Sequence, residues 1–405
     1  MEFDAVRRDC KLTVFAAGNG DAILIEAHDQ TVMTDIHYRR DQAEDDENDW
    51  VPDFAPDIRA ACPDDRLQVF VLTHPDKDHT HGFEEIFHVG TPDTWTRYPR
   101  EDGPKILVEE IWCGPYAVKP HYVTEHAKPL LDEIKRRYLL QGSAAASIPG
   151  NKLRVMDMDG ETSGSVVPGL NWRLLAPTKD EWNIPKAPEG ETPTSSNPTS
   201  LVIRWTVTVD GVDSLILLGG DSIVDIWERI ERDIHAEAPG DLAWHILVAA
   251  HHCSRRSLGH VDNGSNTDID FEESESAMRA LGEMRGNGYV VSSSKRLNHL
   301  KPSPPSLHAK NRYLKILAKG GAVDDVVPKR FICTGGDVNS DKPAHAIFNL
   351  TGSGPTRGHP DGNADMSPRD RKTIDDCRVD DVLRGVPTLL MVVAEGDIRV
   401  HLQTL

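Results

Sequence analysis

The stretch from 72 to 82, LTHPDKDHTHG, constrains this chain most, because it carries three histidines and two aspartates within eight positions. It comes directly after the apolar run Leu67–Leu72, which predicts a buried strand. Zinc and similar divalent metals bind imidazole and carboxylate ligands at about 2 Å, and so need several such side chains at one point. A solvated polar turn is the alternative, but such turns are built mainly from Gly, Asn, Ser and Pro. The stretch therefore predicts a metal site at the end of a strand.

Composition bounds the kind of protein that holds this site. The chain has 405 residues, 38% of them hydrophobic, and a formal net charge of −20. It has no apolar run near the ~18 residues of a membrane span and no apolar signal core at its start, which predicts a cytoplasmic protein without a membrane partner. Its six cysteines form no C-x-x-C pair and are expected to be reduced. The acidic balance argues against a broad nucleic-acid-binding face.

The order of predicted elements indicates the α/β class. Short apolar runs predict a β-meander near the N-terminus, and Asp210-Gly211 predicts the turn of a later hairpin. The segment 128–141 has apolar residues at helical spacing. Strands and helices alternate in this way along the chain, which predicts two mixed β-sheets packed face to face with helices outside.

Three further predicted strands end in residues that can bind metals or move protons. These ends lie at 219–222, 250–254 and 292–299. Asp221 alone could be a helix N-cap, and His252 or His299 alone could be an ordinary core or surface histidine. Together with the stretch 72–82 they supply what a two-metal hydrolase needs, namely two clusters of ligands and one bridging carboxylate.

These motifs resemble those of the metallo-β-lactamase fold superfamily. The hexapeptide 74–79 (HPDKDH) is similar to its H-x-[HD]-x-D-H signature, and Asp76 at the third position is similar to the variant in the soluble domain of ComEC-type competence proteins. Further blocks follow in the family's order between about 11 and 335: 15–25 (FAAGNGDAILI), 34–35 (TD), 197–203 (NPTSLVI), 217–221 (LLGGD), 250–254 (AHHCS) and 298–299 (NH).

The resemblance implies an αβ/βα four-layer sandwich, the metallo-β-lactamase fold, with two divalent metal ions, zinc or manganese, at one edge. We expect a single domain over 1–405, with an irregular insertion at about 351–385 and closing strands within 388–403. The implied ligands divide as follows: one metal is bound by His74 and Asp76, the other by Asp78, His79 and His251, and Asp221 bridges the two. Whether His251 or His252 faces the metal stays open at this point.

Two residues depart from the family pattern, and two more are expected to support the ligands. His81 stands where a glycine is usual, so it could add a ligand or crowd the site. Cys253 replaces the glycine of the H-H-G-S block and is expected to be inert packing. Asp21 and Asp35 are interpreted as groups that orient ligands or form turns.

The predicted activity is metal-dependent hydrolysis by an activated water, with a phosphodiester, either nucleic acid or nucleotide, as the favoured substrate. Asp78 is expected to take part in catalysis, and His299 or His252 to donate the proton that the leaving group needs. One alternative is a hydrolase of a small carbonyl substrate such as a lactone or thioester. Another is a catalytically altered partner protein that docks through the acidic segment 41–49 or through 351–385.

Overall fold

The strands of this protein are short and mostly buried. The structure, a computed structural model, describes residues 9–39, 51–96, 104–120, 122–188, 195–261, 271–297, 304–321, 323–336 and 342–358. The strands within these ranges are β1 (Cys10–Val14), β2 (Ile23–Ala27), β3 (Gln30–Thr34), β4 (Arg66–Leu72), β5 (Leu107–Cys113), β6 (Lys152–Val155), β7 (Ser163–Val167), β8 (Leu170–Ala176), β9 (Val202–Val209), β10 (Val212–Leu218), β11 (Trp244–Val248), β12 (Gly259–Val261), β13 (Phe271–Glu273), β14 (Met284–Lys295), β15 (Phe331–Gly335), β16 (Ala346–Thr351) and β17 (Gly354–Arg357).

The helices are also short, and 3₁₀ turns join several of them to the strands. In the described ranges they are α1 (Ala55–Ala61), α2 (Lys77–Thr80), α3 (Phe83–Ile86), α4 (Pro115–Val118), α5 (Lys128–Tyr138), α6 (Lys179–Trp182), α7 (Val224–Ile230), α8 (Ala250–Cys253), α9 (Glu275–Leu281) and α10 (Leu307–Leu317). None of the helices built from described residues has the length and apolar character needed to cross a membrane.

Two large sheets of mixed direction organise the described residues. The first has the order β17-β16-β1-β2-β3-β4-β5-β6, and the second has the order β15-β14-β11-β10-β9-β8-β7. In the first sheet, β3 to β6 are parallel to one another. In the second, β10, β11, β14 and β15 are parallel. Each sheet therefore combines an antiparallel meander with a parallel half, and the loops that follow the parallel strands collect at its carboxyl edge.

The two sheets face each other across an apolar core, and helices cover their outer faces. Alternation within β4 shows how: Val69 and Val71 belong to the core between the sheets, whereas Phe70 and Leu72 pack under the helices of the first sheet. Trp112 and Trp205, one from each sheet, stack with ring centroids 5.8 Å apart. A third core lies between the second sheet and helices α7, α9 and α10. The predicted fold class, two mixed sheets flanked by helices, is confirmed.

The hairpin prediction also agrees with the structure. Asp210 and Gly211 have φ of 50° and 80° and join β9 to β10, with Val209 opposite Val212. Left-handed φ at both central residues is what a two-residue hairpin turn requires. At the start of the predicted insertion, β17 begins at Gly354 and pairs with β16. The rest of that insertion, the strands expected within 388–403 and the acidic segment 41–49 lie outside the described residues.

Candidate metal centre

Side chains that can bind a metal ion collect at one edge of the sandwich, where strands of both sheets end. One set follows β4 of the first sheet, and the other set follows β10 and β11 of the second sheet. In chain order the candidate ligands are His74, Asp76, Asp78, His79, Asp221, His251 and His252. The carboxyl ends of parallel strands bring these loops together, although the residues are far apart in the chain.

Buried Asp35 fixes the orientation of His79. Its Oδ1 accepts a hydrogen bond from the Thr73 backbone N–H at 2.8 Å, and its Oδ2 accepts one from the Thr73 hydroxyl at 2.6 Å. The same Oδ2 lies 2.8 Å from Nδ1 of His79. Because Nδ1–H donates to a carboxylate, Nε2 of His79 keeps a free electron pair that can bind a metal. This arrangement is the orienting role expected of Asp35.

The first ligand group consists of Asp78, His79, Asp221 and His252, whose ligand atoms lie within 4.8 Å of one another. Asp221 Oδ1 is 3.2 Å from His79 Nε2 and 3.3 Å from His252 Nε2. The same His252 nitrogen is 3.4 Å from Asp78 Oδ2. Two imidazoles and two carboxylates thus face a common point, which is a donor set suited to a divalent metal.

The second ligand group consists of His74, Asp76 and His251 around the other oxygen of Asp221. His74 Nε2 is 3.5 Å from Asp76 Oδ2 and 3.9 Å from Asp221 Oδ2. His251 Nε2 is 3.6 Å from the same Asp221 oxygen. Because its two oxygens face different groups, Asp221 stands between them in the position of the predicted bridging carboxylate.

The two adjacent histidines differ from the prediction in which group they join. The resemblance implies His251 beside Asp78 and His79 and leaves the choice between His251 and His252 open; the structure places His252 there and His251 in the second group. The cause is the backbone, since His251, His252 and Cys253 all have left-handed φ, at 52°, 52° and 63°. This sharp turn sends consecutive side chains to different sides, and non-glycine residues rarely adopt it. The Ser293 carbonyl lies 3.0 Å from His252 Nδ1 and orients that ring.

Two polar residues that the sequence reasoning did not select as site residues also contact the ligands. Asn197 Nδ2 lies 3.5 Å from Asp221 Oδ2 and 3.4 Å from His251 Nε2. The Ser196 hydroxyl donates a hydrogen bond to Asp76. The signal in the sequence was the Asn of the motif block 197–203, because Asn is a residue type that positions ligands or substrate oxygens.

The remaining predicted site residues do not join these groups. His299 lies outside the described residues. His81 belongs to neither ligand group and lies against His126, with ring centroids 4.1 Å apart. Cys253 is fully buried in the core beneath the second sheet, and burial raises the pKa of its thiol to about 12, so it behaves as packing. Asp21 is buried, with Oδ1 3.6 Å from His252 Nδ1.

The ligand groups fit a bound cation because their inward-facing atoms lack other partners. Buried atoms that make no hydrogen bond within the described residues include Nε2 of His74, His79 and His252, and Oδ1 of Asp221. A buried polar atom left unpaired costs about 1–3 kcal/mol, so four of them in the two ligand groups call for compensating partners. Divalent cations supply that partner for imidazole nitrogen and carboxylate oxygen alike.

Without a metal, the carboxylates hold protons on the nearby histidines. Burial by itself lowers the pKa of His252, but Asp221, Asp78 and Asp21 outweigh it and raise the pKa to about 9. Burial likewise opposes protonation of His79, yet Asp221 and Asp35 raise its pKa well above the usual value. Burial would raise the pKa of Asp221, but His251, His252 and His79 hold it well below its usual range. The centre is thus a charged cluster in which a metal ion competes with protons.

Metal affinity should therefore rise with pH in the neutral range. His252 with a pKa of about 9 carries a proton at pH 7 that a metal must displace, so binding strengthens by up to about tenfold per pH unit for that proton until about pH 9, and then levels off. Competition with a chromogenic zinc chelator between pH 6.5 and 9.5 measures the slope. An affinity that stays flat from pH 7 to 9 would contradict this linkage.

No protein-family model matches the chain, and no curated protein sequence matches it. Several solved structures are similar to it. The metallo-β-lactamase fold protein YhfI from Bacillus subtilis is 11% identical, with a TM-score of 0.37, over 84% of this chain and 100% of that chain. A diphosphatase from the PhnP family is 9% identical, with a TM-score of 0.30, over 83% of this chain and 96% of that chain. Zn²⁺-bound PqqB from Methylobacterium extorquens is 12% identical, with a TM-score of 0.27, over 80% and 85% respectively.

The structural class of this protein follows from its own sheet order and from the cluster at the sheet edge. It is an α/β sandwich of two mixed sheets between helical layers. Strand ends from both sheets bring His and Asp side chains together in a form that can hold divalent metal.

Proposed function

We propose that this protein is a metal-dependent hydrolase that cleaves phosphodiester bonds at a centre for two divalent cations, zinc or manganese. The observation that carries the proposal is the placement of Asp221, whose two oxygens face two separate sets of ligands. A carboxylate shared in this way is what a two-metal site requires. His74, Asp76 and His251 would hold one cation, and Asp78, His79 and His252 the other.

A pair of divalent cations lowers the pKa of water and neutralises the charge that develops on a substrate oxygen. The protein's own groups provide the positioning. Asp35 and the Ser293 carbonyl fix the rings of His79 and His252. Asn197, beside Asp221 and His251, is placed to donate a hydrogen bond to a substrate oxygen. His299 remains our candidate for the proton that the leaving oxygen needs.

A phosphodiester is favoured over a carbonyl substrate for two reasons. Asp76 gives the second ligand group a carboxylate where an imidazole is more frequent, and hard, oxygen-rich sites suit manganese and phosphate chemistry. The motif at 74–79 also resembles the variant of competence-type proteins. The net charge of −20 favours a small phosphodiester or an accessible single strand over a long duplex.

The substrate class is tested with a panel on the zinc- or manganese-loaded protein. We expect hydrolysis of bis(p-nitrophenyl) phosphate, loss of that activity on chelation, and a fall of about 100-fold or more for Asp78→Ala. Asp93→Ala is the matched control, because Asp93 is exposed and lies outside both ligand groups. Labelled single-stranded DNA and a set of lactones and thioesters complete the panel.

Two results would overturn the proposal. Activity on a lactone or thioester alone, abolished by Asp78→Ala, would make the protein a carbonyl hydrolase. A purified protein that retains neither zinc nor manganese, and gains no activity when either is added, would favour a partner protein that keeps the fold without the chemistry.

A further inference from the structure

Three imidazole rings that belong to neither ligand group lie next to one another, from a buried one to two that are partly exposed. His37 is buried, with its ring centroid 5.8 Å from that of His81, and His81 lies 4.1 Å from His126. His81 and His126 are both partly exposed. Neither ligand group includes these three histidines.

Backbone hydrogen bonds hold this row beside the ligand loop. The Ile36 N–H donates to the His79 carbonyl at 3.1 Å, and the Tyr38 N–H donates to the His81 carbonyl at 2.8 Å. His37 lies between these two bonds, and its ring fills the space that a Cβ on Gly20 would occupy, at 2.0 Å from Nδ1. The row is therefore fixed relative to the first ligand group, which contains His79.

A lysine lies on the same turn of the chain as His81. Lys77 is exposed and lies one helical turn before His81, whose N–H donates to the Lys77 carbonyl at 2.9 Å. A lysine and a histidine thus belong to the segment that carries Asp76, Asp78 and His79, and a second histidine contacts the first, in a chain whose net charge is −20.

Two other interpretations of the row fit the structure less well. Structural histidines usually have both ring nitrogens hydrogen-bonded or solvated, but the buried Nδ1 of His81 makes no hydrogen bond within the described residues. A third metal site would need convergent ligand atoms, and the three rings form no such group there. The exposed Lys77 would also repel a cation, whereas it attracts an anion.

We propose that Lys77, His81 and His126, called here the basic rim, bind a second phosphate group of the substrate, next to the phosphodiester that is cleaved. This inference rests on the proposed function and narrows the substrate class to nucleotide-type phosphodiesters that carry a flanking phosphate. One phosphate would lie at the metal centre, and the rim would bind the other through the Lys77 ammonium and imidazole N–H groups.

The rim is tested by comparing two non-hydrolysed probes on the metal-loaded full chain. Adenosine 5′-monophosphate carries one phosphate, and adenosine 3′,5′-bisphosphate carries two that are held apart. Calorimetry should show that the wild type binds the bisphosphate at least about tenfold more tightly. The variants Lys77→Met and His126→Phe keep the size of each side chain but remove the charge or the ring N–H, so each should lose most of this preference. Lys329→Met, at an exposed lysine before β15, should keep it.

The results separate this inference from the proposed function. Metal content and hydrolysis of bis(p-nitrophenyl) phosphate are measured on the same preparations, and thermal melting checks that each variant folds. If the wild type binds both probes equally, or if Lys77→Met and His126→Phe retain the preference, the basic rim is wrong even where metal and hydrolysis are intact. A wild type without metal or hydrolysis would instead refute the proposed function.

Discussion

Replacing Asp221 with alanine should abolish binding of both metal ions and lower phosphodiester hydrolysis by at least about 1,000-fold. We expect loss of both metal ions because Asp221 Oδ1 faces His79 and His252, whereas its Oδ2 faces His74 and His251. A metal ion supplies several kcal/mol of transition-state stabilisation, and about 4 kcal/mol corresponds to a factor of 1,000 in rate. In the metal-free variant the pKa of His252 should also fall, because burial would no longer be outweighed by Asp221.

Metal analysis of the dialysed protein, together with the initial rate of hydrolysis, measures this result. Asp221→Asn should bind metal more weakly than the wild type while it preserves the shape of the buried side chain, so it separates loss of the ligand from loss of the fold. Asp93→Ala is the matched control, since Asp93 is exposed and belongs to no group of side chains that could hold a metal ion among the described residues. Retention of one equivalent of metal by Asp221→Ala would show that Asp221 does not bridge.

Alanine substitutions of the adjacent residues His251 and His252 should remove different metal ions. His252→Ala should remove the metal of the first ligand group and reduce hydrolysis by about 100-fold or more, since only three of the four ligands would remain. His251→Ala should affect the metal of the second group, where His74 and Asp76 are the other ligands beside Asp221. Each variant should therefore lose one metal, but from a different group.

Cobalt substitution makes the difference visible, because the absorption of cobalt depends on the ligands of each site. Cobalt titrations of His251→Ala and His252→Ala should show the loss of different spectral components. Asp78→Ala shares the first ligand group and should reproduce the spectrum of His252→Ala. The assignment of the two groups would fail if Asp78→Ala matched His251→Ala instead.

Sequence reasoning predicted the fold class and selected the His and Asp residues that the structure brings together at the sheet edge, because both depend on local patterns. Alternation within β4 follows from strand geometry, and the stretch 72–82 concentrates ligand-type residues directly after that strand. The Asp-Gly hairpin turn is equally local. The edge strand β7 was missed, because its exposed SGSVV sequence has no apolar alternation.

The division of the ligands could not be predicted from the sequence, because it depends on the backbone. Three consecutive left-handed residues at 251–253 send His251 and His252 to different groups, and no propensity scale predicts such a run in non-glycine residues. The positions of Asn197 and Ser196 depend on the long-range approach of their loop to Asp221 and Asp76. The contact of His81 with His126 is also long-range, and the backbone of His81 is hydrogen-bonded to Lys77 and Tyr38.

The ligand loops come from both sheets, and this has a consequence for how the protein holds together. His79 follows a strand of the first sheet, whereas Asp221 and His252 follow strands of the second. Bound metal would thus cross-link distant parts of the chain, in the manner of a reversible disulfide. A metal ion that binds only the native state stabilises that state by about 2.7 kcal/mol when its concentration is 100 times its dissociation constant. The fraction of folded protein would then rise with the concentration of free metal. One centre would thus serve both as the reaction site and as a stabilising cross-link between the two sheets.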